Sequence, residues 1–372
     1  MNNIEIEKEI QDDNILDIVE ISNPFSTKDI SINNRIINLA SLLDRLKYDE
    51  IDLNPDFQRN ANLWDKNKMS RLIESILLKL PLPIFYFDVS NPDKWIVVDG
   101  LQRLSTIKKF ILEKNLKLQN LEFLKELDGK TYEELPRNLK RTIYEAQINT
   151  YQIEAQTPKK VRYSIFHRIN TGGLPLNAQE IRQALNQDGN SRKFLESITN
   201  DKIFKTIVGL NSKRMLDREL ALRFIAFKLP NYRGFEFNNM GEFLDDSMEK
   251  LDSLKDDNIL NNIKKDFLNV LEFSEQIIGK NHHFSRAIAD KNKAKSLNRS
   301  LFDVITVSFS NIEDKDKFLD KKDKFLEKFL NLLQDEKNDF IEAITKGTSS
   351  KKAIESRFKI MKTLIDEVLN EN

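Results

Sequence analysis

Apolar positions along this chain recur with two periods, and the change between them divides it. Leu39, Leu42, Leu43 and Leu46 follow Asn38 at i, i+3, i+4 and i+7, which predicts a helix with Asn38 placed to cap it. Met69, Leu72, Ile73, Ile76, Leu77 and Leu80 form a second stripe behind a capping Asp65, and Pro81 and Pro83 end it. Short apolar runs over residues 84–88, 95–98 and 147–153 predict strands, with a shorter extended piece beginning at Ile51. Thr157-Pro158 opens a further helix, Thr as cap and Pro at its first position, and Asn177-Ala-Gln-Glu180 has the spacing of a capping box. From Leu121 the pattern is mostly helical, and beyond about residue 190 only helical periods and charged connections remain, clearest over 216–229 and 318–333. The fold class read from this is α+β. An acidic, flexible arm over 1–34 (Glu5, Glu7, Glu9, Asp12, Asp13) precedes a small α/β domain over 35–189, and an all-α domain occupies 190–372.

One stretch of the α/β part carries more polar chemistry than its elements need. The strand ending at Val98 runs through Asp99-Gly100 straight into a helical pattern of Leu104, Ile107, Phe110 and Ile111. Such a strand–turn–helix leaves the first N–H groups of the helix without intrahelical partners and favours an anion above the turn. Gln102 and Arg103 add side-chain donors, and Asp99 suits a metal ion or a hydroxyl. The same residues also fit a plain turn in which Asp99 caps the helix and Arg103 is solvated. Two further polar clusters interrupt apolar pattern, Gln58-Arg59 and His167-Arg-Ile-Asn170-Thr-Gly172-Gly173, where the paired glycines let backbone approach a ligand or simply end a helix.

Composition narrows the chemistry. Lys plus Arg and Asp plus Glu number 59 each among 372 residues, so no global field draws the chain to nucleic acid. A local patch must do so, and Lys159, Lys160 and Arg162 are the candidates; a solvated helix face is the alternative reading of them. Cysteine is absent, which excludes disulfides, thiolate zinc sites and thiol nucleophiles. The three histidines, His167, His282 and His283, leave little for a His-based nuclease motif, so a complete nuclease in this chain is not expected. No apolar run has the length of a membrane span and the acidic start is unlike a secretory signal; the expected location is the cytoplasm.

Asn54-Pro-Asp-Phe-Gln-Arg59, Trp64, Leu72-Ile-Glu-Ser-Ile76, Pro81-Leu-Pro83, Asp99-Gly-Leu-Gln-Arg103 and Phe166-His-Arg-Ile-Asn-Thr-Gly-Gly173 occur in that order, followed by Gln179-Glu-Ile-Arg182. In this the chain resembles the N-terminal domain of GmrSD-type restriction endonucleases, over about residues 36–230. The resemblance implies a ParB/sulfiredoxin-like fold and an NTP-binding, NTP-hydrolysing module of a DNA restriction or phage-defence system. A ParB-like nucleic-acid-binding regulator without hydrolysis is the alternative. It ties Asp99, Gly100, Gln102 and Arg103 to nucleotide handling; Leu101 stands where relatives often carry Gln.

The roles expected on that basis are specific. Asp99 and Arg103 are the catalytic pair, with Asp99 also holding Mg²⁺. Backbone N–H groups from Gly100 to Gln102 meet phosphate oxygens, with Gln58 and Arg59 as a second clamp. Asn170, Gly172 and Gly173 close the nucleotide pocket. The expected cofactors are Mg²⁺ and a nucleoside triphosphate, and DNA, a separate nuclease subunit and a second copy of the chain are open as partners.

Overall fold

The computed structural model describes residues 4–7, 30–53, 64–169, 177–186, 189–210, 213–229, 239–290, 292–293 and 295–371. The chain divides into two compact units, Asn23–Leu185 and Met1–Ser22 with Asn186–Asn372. Most of the acidic arm lies outside the described residues. Its described residues are 4–7, where β1 (Glu5–Ile6) belongs to the second unit, and 30–34, which belong to the first unit and lead into a strand that begins at Ile32.

The first unit is built on a five-stranded mixed sheet. Its strands are β2 (Ile32–Asn38), β3 (Ile51–Asp52), β4 (Phe85–Asp88), β5 (Trp95–Asp99) and β6 (Gln147–Ile153), in the order β2-β6-β4-β5-β3. β6 is antiparallel to β2 and parallel to β4, while β5 is antiparallel to β4 and parallel to β3. Alternation along β4 and β5 sends Phe85, Phe87, Trp95 and Val97 into one apolar core. Helix α1 (Leu39–Lys47) buries the four leucines of its stripe there. Helix α2 (Lys66–Leu77) adds Leu72, Ile73, Ile76 and Leu77, and α3 (Leu101–Ile111) adds Leu104, Ile107 and Phe110. Asp65 caps α2 as expected, accepting from the Lys68 N–H at 2.8 Å. Asn38 sits at the cap position of α1, but its side chain makes no capping bond. Leu80 falls beyond the end of α2 and is 50% exposed.

The chain from Leu121 was expected to be mostly helical, but residues 121–136 form an ordered loop with one 3₁₀ turn at Lys125–Leu127. A buried carboxylate organises it. Glu74, on α2, accepts the backbone N–H groups of Glu122, Phe123 and Leu124 at 3.0, 2.7 and 2.8 Å. Burial alone would raise its pKa, but the three N–H groups together outweigh that and hold it below the ordinary value. The rest of this unit is α4 (Arg137–Glu145), α5 (Lys159–Ile169) and α6 (Ala178–Leu185). Thr157 does not cap α5: its hydroxyl accepts from the Ser31 N–H and donates to the Ser31 carbonyl, tying the chain back to the start of β2. The capping box before α6 is formed in both directions, Glu180 N–H to Asn177 at 2.9 Å and Asn177 N–H to Glu180 at 2.7 Å.

The second unit is helical: α7 (Asn190–Thr199), α8 (Lys202–Val208), α9 (Leu216–Lys228), α10 (Met240–Ser253), α11 (Asp257–Ile278), α12 (Arg299–Ser310), α13 (Lys315–Asp320), α14 (Lys322–Gln334), α15 (Asp339–Thr345) and α16 (Lys351–Asn370). Its core is rich in phenylalanine, with Phe224 stacked on Phe267 at 4.3 Å between centroids. Within this core Asp303 is fully buried and is held by Arg223 through a bidentate pair at 3.0 and 2.6 Å, with Arg357 beside it at 3.5 Å. β1 pairs in parallel with β7 (Ser296–Leu297), and Glu7 accepts from Arg286 and Asn298 at 3.1 Å each. Residues separated by almost 300 positions thus close this unit. No helix among the described residues is long and apolar enough to cross a membrane.

Candidate functional site

The turn after β5 is shaped by two local departures from regular structure. The first is a bulge. Phe87 pairs with Val97, yet Tyr86 pairs with Asp99, so β5 carries one extra residue between them. Strict alternation from Trp95 and Val97 would send Asp99 into the core. The extra residue instead sets it opposite Tyr86, and the Asp99 side chain keeps 43% of its surface exposed. The second is Gly100, whose φ of 101° lies in the left-handed region. A Cβ there would sit 2.4 Å from Cδ1 of the buried Phe85, so both the angle and the space require glycine.

Gly100 is the residue before α3 and supplies no side-chain cap, and Asp99 does not turn back to supply one. The Asp99 carboxylate goes elsewhere: Oδ2 accepts from Arg103 Nη2 at 2.7 Å, one helical turn on. Arg103 is not solvated. Its side chain is 9% exposed, its Nη1 donates to the Pro83 carbonyl, and its Nη2 also donates to the Ile84 carbonyl at 3.2 Å. The guanidinium lies over the Phe85 ring at 4.2 Å. Burial lowers the Arg103 pKa and the Asp99 carboxylate opposes that. Arg103 therefore fixes three things at once: the end of the loop before β4, the Phe85 ring under Gly100, and one oxygen of Asp99. Oδ1 of Asp99 is left without a hydrogen bond among the described residues. Gln102 is half-buried, and its Oε1 takes the N–H of Trp64 at 3.4 Å.

Asp99, Gly100, Gln102 and Arg103 are thus brought together at one turn. Gln58, Arg59, Asn170, Gly172 and Gly173 lie outside the described residues. Of the three cations considered for nucleic acid, Lys160 is exposed and Lys159 half-buried on α5. Arg162 points at the sheet. It pairs with the fully buried Asp88 at 3.1 Å and also donates to the Ser90 hydroxyl, so its charge answers an internal carboxylate. His282 is buried in the helical unit, its Nδ1 accepting the Phe284 N–H at 3.0 Å and Nε2 lying 3.3 Å from the Ser274 hydroxyl. His283 faces a different way, Nδ1 lying 3.0 Å from the Ile207 carbonyl. No group of three or more metal-ligating side chains occurs among the described residues.

Sequence reasoning passed over two residues beside this turn. Register aligns Asn34, Tyr151, Tyr86 and Asp99 across β2, β6, β4 and β5, which sets all four on the sheet face opposite Phe85 and Phe87. The Tyr86 and Tyr151 rings are stacked, 5.3 Å between centroids and 25° between planes, and both are half-buried. Partial burial, then Tyr151 and the Asp99 carboxylate, hold the Tyr86 phenol above its ordinary pKa. The signal was a tyrosine at the outward position of each strand, where alternation calls for a polar residue.

Residues 39–187 fit the family model described as the GmrSD restriction endonuclease, N-terminal domain, a range that includes the turn at Asp99–Gly100. No curated protein and no solved structure matches the chain.

Proposed function

We propose that the chain is a nucleotide-handling component of a restriction system, a reading supported by the match of residues 39–187 to the GmrSD restriction endonuclease N-terminal domain. The domain binds a nucleoside triphosphate at the Asp99–Gly100 turn and hydrolyses it. The observation that carries this reading is the Asp99 carboxylate, turned out of the core by the bulge and held by Arg103 beside the open N-terminus of α3. Backbone N–H groups at the start of α3 meet phosphate oxygens, and Gly100 lets the phosphates come close to the backbone. Arg103 acts in this reading as a positioning residue, which its bonds to Asp99, Pro83 and Ile84 support.

The donor set bears on the metal. Asp99 offers one carboxylate oxygen beyond the Arg103 pair, which fits Mg²⁺ held mostly by triphosphate oxygens and water. Asp99 would hold the ion, which would supply neutralisation of phosphate charge. Arg103 holds the Asp99 carboxylate in place, and Gln102 accepts the Trp64 N–H beside it. DNA cutting belongs to a partner nuclease, a division supported by His282 spending both ring nitrogens inside the core.

Isothermal titration of ATP, GTP, CTP and UTP, each with and without Mg²⁺, tests the reading. Saturable binding of at least one, strengthened by Mg²⁺ and lost in Gly100→Ala, is the expected result. Absence of binding by all four overturns it. Salt-sensitive DNA binding that survives Asp99→Ala and is lost when Lys159 and Lys160 are neutralised would favour the regulator instead.

A further inference from the structure

The nucleotide reading leaves the base of the nucleotide without a partner, and the sheet supplies one. We propose that Tyr86 and Tyr151 form the platform on which the base stacks while the phosphates occupy the turn at Gly100. The proposal rests on the nucleotide reading above and adds to it the residues that grip the base.

Three observations carry it. Tyr86 and Asp99 are directly paired residues of β4 and β5, so the ring stands beside the carboxylate on the same face. Tyr151 is the next residue along that row and its ring already stacks on Tyr86. Strands lie about 4.8 Å apart, so the row from Asp99 to Tyr151 spans about 10 Å, the reach of a ribose and its phosphates. Second, the rings end in small polar residues on both sides, Asp99 and Asn34, rather than in further aromatic packing. An added ring therefore extends an existing stack. On the β2 side the face is open, with Asn34 and Asn149 exposed and Ile36 63% exposed.

The third observation selects the kind of ligand. The row Asn34–Tyr151–Tyr86–Asp99 contains no cation, and Arg35 stands at the alternate register position, opposite Thr150 on the core side. A nucleic-acid strand lying along this row would find no positive charge in it, and Arg162, on the same face through Asp88, is already paired with that carboxylate. A single base is uncharged and asks only for π-faces and an apolar surround. Every base offers such a face, so the platform supplies affinity and leaves base choice to other groups.

The test is titration of the whole chain with two probes in the presence of Mg²⁺: the tightest-binding of ATP, GTP, CTP and UTP, and inorganic tripolyphosphate. Both are measured for the unmodified chain, Tyr86→Ala, Tyr151→Ala, Tyr86→Phe and Tyr151→Phe. The expected result is a loss of about tenfold or more in nucleotide affinity for each alanine variant. Tripolyphosphate affinity stays unchanged, and the phenylalanine variants bind nucleotide as the unmodified chain does. Nucleotide affinity unaffected by alanine overturns the platform and leaves the phosphate site standing. Equal loss for both probes also overturns it, since it makes the tyrosines merely structural. Binding of a short single-stranded oligonucleotide that depends on the tyrosines, with nucleotide affinity unmoved, overturns it in favour of a strand. An unmodified chain that binds neither probe defeats the nucleotide reading itself, and the platform falls with it.

Discussion

Replacing Gly100 by alanine tests the geometry on which the site depends. Two costs follow from the structure. At φ 101° a residue with a Cβ is held in a left-handed conformation, worth about 1 kcal/mol or more. The new methyl must also displace the Phe85 ring, from which it would stand 2.4 Å, and that ring is fully buried with the Arg103 guanidinium 4.2 Å from its centroid. Overpacking of this kind adds about 2 kcal/mol. Together Gly100→Ala costs about 3 kcal/mol, close to what a well-packed large-to-small core change removes. The assay is built into the sequence. Trp64 and Trp95 are the only two tryptophans and both lie in the α/β unit, so their emission follows that unit's unfolding. With a urea dependence of about 2 kcal/mol per M, the midpoint falls by about 1.5 M. A variant whose midpoint stays within about 0.3 M of the unmodified chain would refute both the tight Phe85 contact and the strained turn.

Other residues give independent checks. His282 is pushed down to about 4 by burial, so the folded helical unit keeps it neutral where the unfolded chain, with an ordinary histidine near 6.5, takes up a proton. Its stability contribution is complete above about pH 6.5 and is lost as the pH falls toward 4. That loss amounts to about 3 kcal/mol at about 1.4 kcal/mol per pH unit, and chemical denaturation followed by circular dichroism should show it, with His282→Gln flattening the slope between these values. Glu74→Gln replaces a carboxylate that accepts three backbone N–H groups and should cost about 2 kcal/mol at pH 7 by tryptophan emission. Because the folded pKa of Glu74 is lowered, the deficit is full above the ordinary carboxylate value of 4.5 and shrinks as the pH falls through the folded one. Arg162→Ala leaves the buried Asp88 without its cation and should destabilise the α/β unit by about 3 kcal/mol. An unchanged midpoint would return Arg162 to the nucleic-acid candidates.

The sequence was most legible where one element's own period decides its place. The stripes of α1 and α2, the strand at Gln147–Ile153 and the capping box at Asn177 and Glu180 all follow from spacing within a few residues. Legibility failed where a distant partner decides. β2 is an edge strand with mostly exposed side chains, so it has no alternation to betray it; it exists because β6 pairs with it. The loop over 121–136 contains leucines at near-helical spacing, but Glu74 captures the N–H groups of Glu122, Phe123 and Leu124 from another helix. β1 and β7 are two residues each, too short for any pattern. At the site, the motif from Asp99 to Arg103 was visible and its turn was expected. The bulge at Val98 was not, because a strand read by alternation alone keeps its faces, and only the register against β4 shows the shift. Arg103 reads in sequence as a surface donor at a helix start. The Phe85 ring and two carbonyls that enclose it come from the preceding strand and loop.

The most direct measurement is phosphate release from ATP, GTP, CTP and UTP with Mg²⁺, compared between the unmodified chain, Asp99→Asn and Arg103→Lys. Asn keeps the shape of Asp99 and removes the charge; Lys keeps a charge and removes the fork that reaches Asp99, Pro83 and Ile84 together. The expected result is turnover by the unmodified chain with at least one nucleotide and a fall of about 100-fold or more in Asp99→Asn. Its tryptophan-monitored midpoint should be little changed, and Arg103→Lys should lose both turnover and stability. Turnover that survives Asp99→Asn undiminished would contradict the assignment of the chemistry to this turn.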